Sequence, residues 1–92
     1  MIVRILGEGQ LKVDPERLPE LNELDSELAA AVEADDDAGF RTVLVQLLAR
    51  VRAVGSPAPD DLLTVSDVIL PSADSTLAEV REMLTDEGLI PG

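Results

Sequence analysis

Residues 14–55, DPERLPELNELDSELAAAVEADDDAGFRTVLVQLLARVRAVG, decide the fold. Asp14 is a good N-cap and Pro15 suits a first helical position. Leu18, Leu21, Leu24, Leu28 and Val32 follow at helical spacing. At about 100° per residue they form one apolar stripe, which predicts a helix over 14–34. Glu16, Glu20, Glu23 and Glu27 fall on its opposite side. Asp35-Asp36-Asp37 breaks the pattern and offers caps and carboxylates at the positive end of a second helix. Phe40, Val43, Leu44, Leu47, Leu48 and Val51 give that helix its apolar face, predicted over 38–54. Arg50 and Arg52 stand near its end, where the helix dipole favours cations, and Gly55 is a plausible stop.

The two helices are expected to pair antiparallel. Residues 14–37 hold ten acids and one base, whereas 38–56 hold three arginines and no acid. Opposite charge favours the pairing, although an exposed ion pair is worth only about 0–1 kcal/mol. Apolar burial along the seam is the larger contribution.

On the N-terminal side, residues 1–13 read as a β-hairpin. Ile2, Val3, Ile5 and Leu6 favour one strand and Leu11-Lys12-Val13 the other, with Gly7-Glu8-Gly9 as the turn. A lone hairpin is marginal, so it must pack on a helix, gain a third strand, or pair with another chain. On the C-terminal side, Pro57-Ala58-Pro59 is a stiff connector. Leu62 to Leu70 alternates weakly as a third-strand candidate and ends at Pro71. Thr76 and Glu79 make a capping box for a short helix running to about Thr85, with Leu77, Val80 and Leu84 inward. Gly88 would end that helix, before an apolar tail, Leu89-Ile90-Pro91-Gly92, expected to fold back onto the domain. The expected class is α+β. A small antiparallel sheet built on the N-terminal hairpin packs against two antiparallel helices, with a short C-terminal helix, all in one domain spanning 1–92.

Composition narrows function further. The chain has 92 residues and its core must be aliphatic, because Phe40 is the only aromatic residue. It has no Cys and no His, so thiolate chemistry and imidazole proton transfer are unavailable. Neither metal nor cofactor is expected. A formal charge of −12 repels nucleic acid and anionic lipid and permits a basic protein partner. No apolar run reaches the roughly 18 residues of a membrane span, and Arg4 interrupts the apolar start, which argues against a secretory signal. The cytoplasm is the expected compartment.

Two segments carry a family likeness. One is Met1-Ile2-Val3-Arg4-Ile5-Leu6-Gly7-Glu8-Gly9-Gln10. The other runs from Ser66-Asp67-Val68-Ile69-Leu70-Pro71 through Thr76-Leu77-Ala78-Glu79-Val80 to Asp86-Glu87-Gly88-Leu89-Ile90-Pro91-Gly92. Between them lie an acidic helix, a turn, and a helix ending in Leu47-Leu48-Ala49-Arg50-Val51. The whole resembles the PspA-associated protein family, PspAA. That resemblance implies a partner or modulator of PspA, the long coiled-coil phage shock protein of the envelope stress response. Membrane contact, if any, is then indirect through PspA. The family brings no catalytic residue to carry over.

Several surface features are weighed against simpler readings. The stripe Glu16, Glu20, Glu23, Glu27 is either a solvated helix face or a docking face for a basic stripe on a coiled coil. The Asp35-Asp36-Asp37 run lacks the alternating ligands, central Gly and final Glu of a calcium loop and reads as caps and a turn. Asp60-Asp61 reads as loop acids. Arg41, Arg50 and Arg52 complement the first helix rather than form an anion site. The outer edge of the hairpin is either covered by 62–70 or open to a second copy of the chain. Alternatives to an interaction module are a self-assembling structural or adaptor subunit, and a hydrolase working with paired acids. The last needs convergent carboxylates in a pocket of about 300 Å³ or more, for which the thin core leaves scant room.

Overall fold

The computed structural model describes residues 1–57, 68–84 and 89. Strand β1 (Ile2–Ile5) and strand β2 (Gly9–Val13) pair antiparallel in the register Ile2↔Lys12 to Ile5↔Gly9. The Glu8 N–H donates to the Ile5 carbonyl at 3.0 Å, closing a turn whose third position is Gly7, at φ 86°. That sign of φ is what glycine adopts without steric cost. Leu6 therefore belongs to the turn rather than the strand and is exposed. At the open end, Val13 N–H donates to the Met1 carbonyl and the terminal ammonium to the Val13 carbonyl, at 2.8 and 3.0 Å.

The first long helix starts later than its sequence pattern predicts. Asp14 does cap: its carboxylate accepts the Glu16 N–H at 3.0 Å. Pro15–Arg17 then form a 3-10 turn, and helix α1 runs over Leu18–Glu33. Pro19 explains the difference. It has no N–H to give the Pro15 carbonyl, and its ring would clash with that carbonyl in a continuous α-helix. The chain uses the tighter turn first and places Pro19 in the opening turn of α1, where it is tolerated.

Helix α2 covers Asp37–Val54, and the triple aspartate divides the work at its start. Asp35 takes the left-handed conformation, at φ 59°. Its N–H reaches the Val32 carbonyl and that of Asp36 reaches Ala31, the double bond pattern of a Schellman stop. Asp36 then caps α2 by accepting the Gly39 N–H at 3.1 Å. Asp37 lies 3.8 Å from Arg41 one turn on. The aspartates are thus caps and turn, and among the described residues no group of three or more acids is arranged to hold a metal.

No loop follows α2. Gly55 is extended at φ −90° and ψ 156°, so it ends the helix without the left-handed cap that glycine usually supplies there. A Cβ at Gly55 would lie 2.7 Å from the Val51 carbonyl and 3.1 Å from Leu11 Cβ. Close approach therefore selects glycine here. Strand β3 (Gly55–Pro57) begins at once and pairs antiparallel with β2, Leu11↔Pro57 to Val13↔Gly55. The expected connector thus starts as a strand at Pro57; its Ala58 and Pro59 lie outside the described residues.

Strand β4 (Val68–Leu70) confirms a strand at the end of the 62–70 segment, whose earlier residues lie outside the described ones. It pairs parallel with β1, Val3↔Val68 to Ile5↔Leu70. The sheet is therefore mixed rather than antiparallel, in the order β3-β2-β1-β4. Both hairpin strands are covered, so the N-terminal edge proposed for self-pairing is not open. Among the described residues the outer strands are β3 and β4, each three residues long and each ending at or just before a proline. Short edges with proline resist pairing with another chain.

The helical hairpin lies on the face of the sheet that carries Val3, Ile5, Val13, Val68 and Leu70. Leu21, Leu28 and Val32 of α1 meet Phe40, Leu44, Leu47, Leu48 and Val51 of α2 in the same core. Helix α3 (Leu77–Met83) is set by its capping box, Glu79 N–H to Thr76 Oγ1 at 3.2 Å and Thr76 N–H to Glu79 Oε1 at 3.0 Å. It buries Val80, with Leu77 and Leu84 partly covered. Its Arg81 donates to the Val32 carbonyl at 2.7 Å and to Asp35 at 2.9 Å, covering the stop of α1. No described helix is long and apolar enough to cross a membrane.

Candidate functional site: the outer groove of the helical hairpin

The acidic stripe is not one feature. Glu16 sits in the 3-10 turn and is exposed. Glu20 is half-buried; it accepts Arg50 Nη2 at 2.8 Å and has Arg17 Nη1 at 3.9 Å. Glu23 and Glu27 are exposed, one helical turn apart, and no described cation stands within 4.0 Å of either. They line, with Ser26, a depression of about 420 Å³. The four glutamates therefore split into one at the helix entry, one tied to α2, and two unneutralised ones.

Beside them runs a groove between α1 and α2, about 460 Å³ in volume, lined by Leu24, Gln46, Ala49, Arg50 and Ala53. Leu24 was expected in the core but is only partly buried and lines the α1 wall of the groove. Ala49 and Ala53 are four residues apart, on the face of α2 opposite Phe40, Leu44 and Leu48. Neither end of that pair stands out in the sequence. Their signal is the small size of two outward side chains at one-turn spacing, which only the position of α1 turns into a groove.

The arginines serve different partners from those expected. Arg50 does complement the first helix through Glu20. Arg52 instead grips Glu8 in the hairpin turn, Nε to Oε1 at 2.7 Å with Nη2 on Oε2, and Arg41 stays on its own helix with Asp37. The Arg52 hydrogen bond holds the Glu8 carboxyl below the usual glutamate range; burial opposes it, and the Arg52 charge adds a smaller lowering. The same pairing raises Arg52.

Another acid escapes sequence reading altogether. Asp25 lies on the core face of α1 between Leu21 and Leu28 and is 3% exposed. Its Oδ1 accepts the Leu89 N–H at 3.0 Å, and the Leu89 side chain joins the core at 8% exposure. The tail thus folds back at Leu89, as expected; residues 90–92 lie outside the described ones.

Surface depressions are roomier than the thin core led us to expect. A further one of about 560 Å³ sits where Met1, Lys12 and Arg17 meet Val54 and Ser56. Its acid, Asp14, is engaged as a helix cap. The hairpin groove differs in its small apolar floor at Ala49 and Ala53, while Glu23 and Glu27 stand outside its lining, beside Leu24 on α1. The sequence profile of the PspA-associated protein family matches residues 1–92, the whole chain. The chain belongs to this family. No curated protein and no solved structure matches it. As a PspA-associated protein it carries in its family name an association, which the groove and the glutamates beside it can be weighed against.

Proposed function

We propose that this chain is a small, acidic, non-catalytic interaction protein of the cytoplasm that binds PspA and modulates its part in the envelope stress response. The match of its full length to the PspA-associated protein family carries this reading. A charge of −12 and an acidic helical face favour a basic partner. PspA, as a long coiled coil, offers helices as docking partners, and any membrane contact of this chain passes through it.

Binding to PspA from the same genome tests the reading. PspA should carry the label, because a chain without Trp or Tyr is nearly silent at 280 nm. Saturable binding that weakens with added salt is the expected result. Absence of binding at high micromolar concentration, with both proteins folded, would remove PspA as the partner.

A further inference from the structure

Granting that reading, the geometry points to the groove between α1 and α2 as the seat of one partner helix. That helix carries basic side chains one turn apart beside a seam of small or aliphatic residues. The floor fixes the shape of the occupant. Ala49 and Ala53 present no atom beyond Cβ, so a helix laid along α2 can approach to the short end of helix-packing distances, about 8 Å between axes. Leu24 supplies apolar contact from the other wall.

Charge fixes its chemistry. Glu23 and Glu27 lie outside the groove lining but flank Leu24 on α1 and repeat at i,i+4, so two carboxylates stand on the rim at the rise of one turn. A helix running beside them presents Lys or Arg at the same interval. Arg50, the charged residue of the groove lining, is engaged by Glu20, which leaves the two rim carboxylates as the unneutralised charge beside the groove. The opposite wall offers the Gln46 amide, which tolerates either charge.

A second copy of this chain does not meet these needs. The described helical arginines each have a carboxylate of the same chain: Arg17 and Arg50 on Glu20, Arg41 on Asp37, Arg52 beside Glu8 and Arg81 on Asp35. No described helix holds two unengaged cations a turn apart. Two such acidic rims brought together would repel. Anionic lipid and nucleic acid are excluded by the same sign of charge.

The test compares three variants in the labelled-PspA titration. Glu23→Lys with Glu27→Lys reverses the charge of the rim, and Ala49→Trp fills the floor. Glu16→Lys with Glu33→Lys makes the same change of net charge away from the groove. The rim and floor variants should each weaken binding at least about tenfold, and the control should stay within about twofold, since exposed charges act locally. All the altered positions are exposed, so circular dichroism should show native helicity, and if either groove variant unfolds the other decides. Wild-type binding that both groove variants retain would overturn the groove while leaving the partnership intact. Failure of the wild type to bind would remove the partnership and the groove assignment with it. A dimer at tens of micromolar that the groove variants abolish would make a second copy the occupant and overturn the basic helix.

Discussion

A carboxylate on the core face of a helix persists only where hydrogen bonds replace the water it has lost. Asp25 meets that condition with a backbone N–H from the far end of the chain. Asp25→Ala removes the acceptor and leaves the Leu89 N–H unpaired, which should cost about 1–3 kcal/mol. Asp25→Asn keeps an acceptor oxygen in nearly the same place and should lose less than half of that. Urea unfolding of the two variants checks the ranking, and hydrogen exchange at Leu89 should quicken in the alanine variant alone. Nothing in the sequence marks Asp25. It occupies an i+4 position after Leu21 inside an apolar stripe, where an acid ordinarily signals an error in the phase of the helix. The hydrogen bond that makes it tolerable comes from 64 residues away.

Elements were legible where their signals are local. The stripe of α2, the capping box of α3 and the two-glycine turn of the hairpin each act within a few residues, and each stands where its pattern says. Pro19 was equally visible, and its conflict with a helix begun at Pro15 follows from the missing N–H alone. Strand β3 was not legible, because Gly55-Ser56-Pro57 has no strand pattern and exists as a strand only through its pairing with β2. The direction of β4 was hidden for the same reason: parallel pairing with β1 is a long-range choice. The groove belongs with these. Its glutamates could be read from periodicity, but its alanines mean nothing until two helices lie side by side. The stop between the helices yields a prediction at this scale. Asp35 holds a left-handed backbone that a β-branched residue strongly resists. Asp35→Val should therefore destabilise the domain by about 1–2 kcal/mol more than Asp35→Asn, which tolerates that conformation. Equal melting temperatures for the two would show that the stop can rearrange.

Across the whole molecule, the sheet and helix layers are tied at one corner by Glu8 and Arg52. The folded carboxyl lies below its ordinary value, so its contribution to stability is complete above the usual glutamate range. It disappears as pH falls through the lowered value, while Arg52 keeps its charge throughout that window. Both side chains are partly exposed, which limits the pair to the small effect of a surface ion pair, about 0–1 kcal/mol. Wild type and Glu8→Gln should differ by that amount at pH 7, and the gap should close as pH falls below the ordinary glutamate range and through the lowered value, as followed by thermal melts. A gap unchanged at low pH would show that packing, not charge, joins the layers there. The other tie between the layers is covalent. Helix α2 becomes strand β3 with no intervening residue, so the phase of the helix and the pleat of the sheet are geared together. One residue inserted after Val54 would turn Ser56 and its neighbours to the wrong side of the sheet or rotate the helix by more than a quarter turn. A tag, linker or fused reporter should therefore not be inserted between Val54 and Gly55.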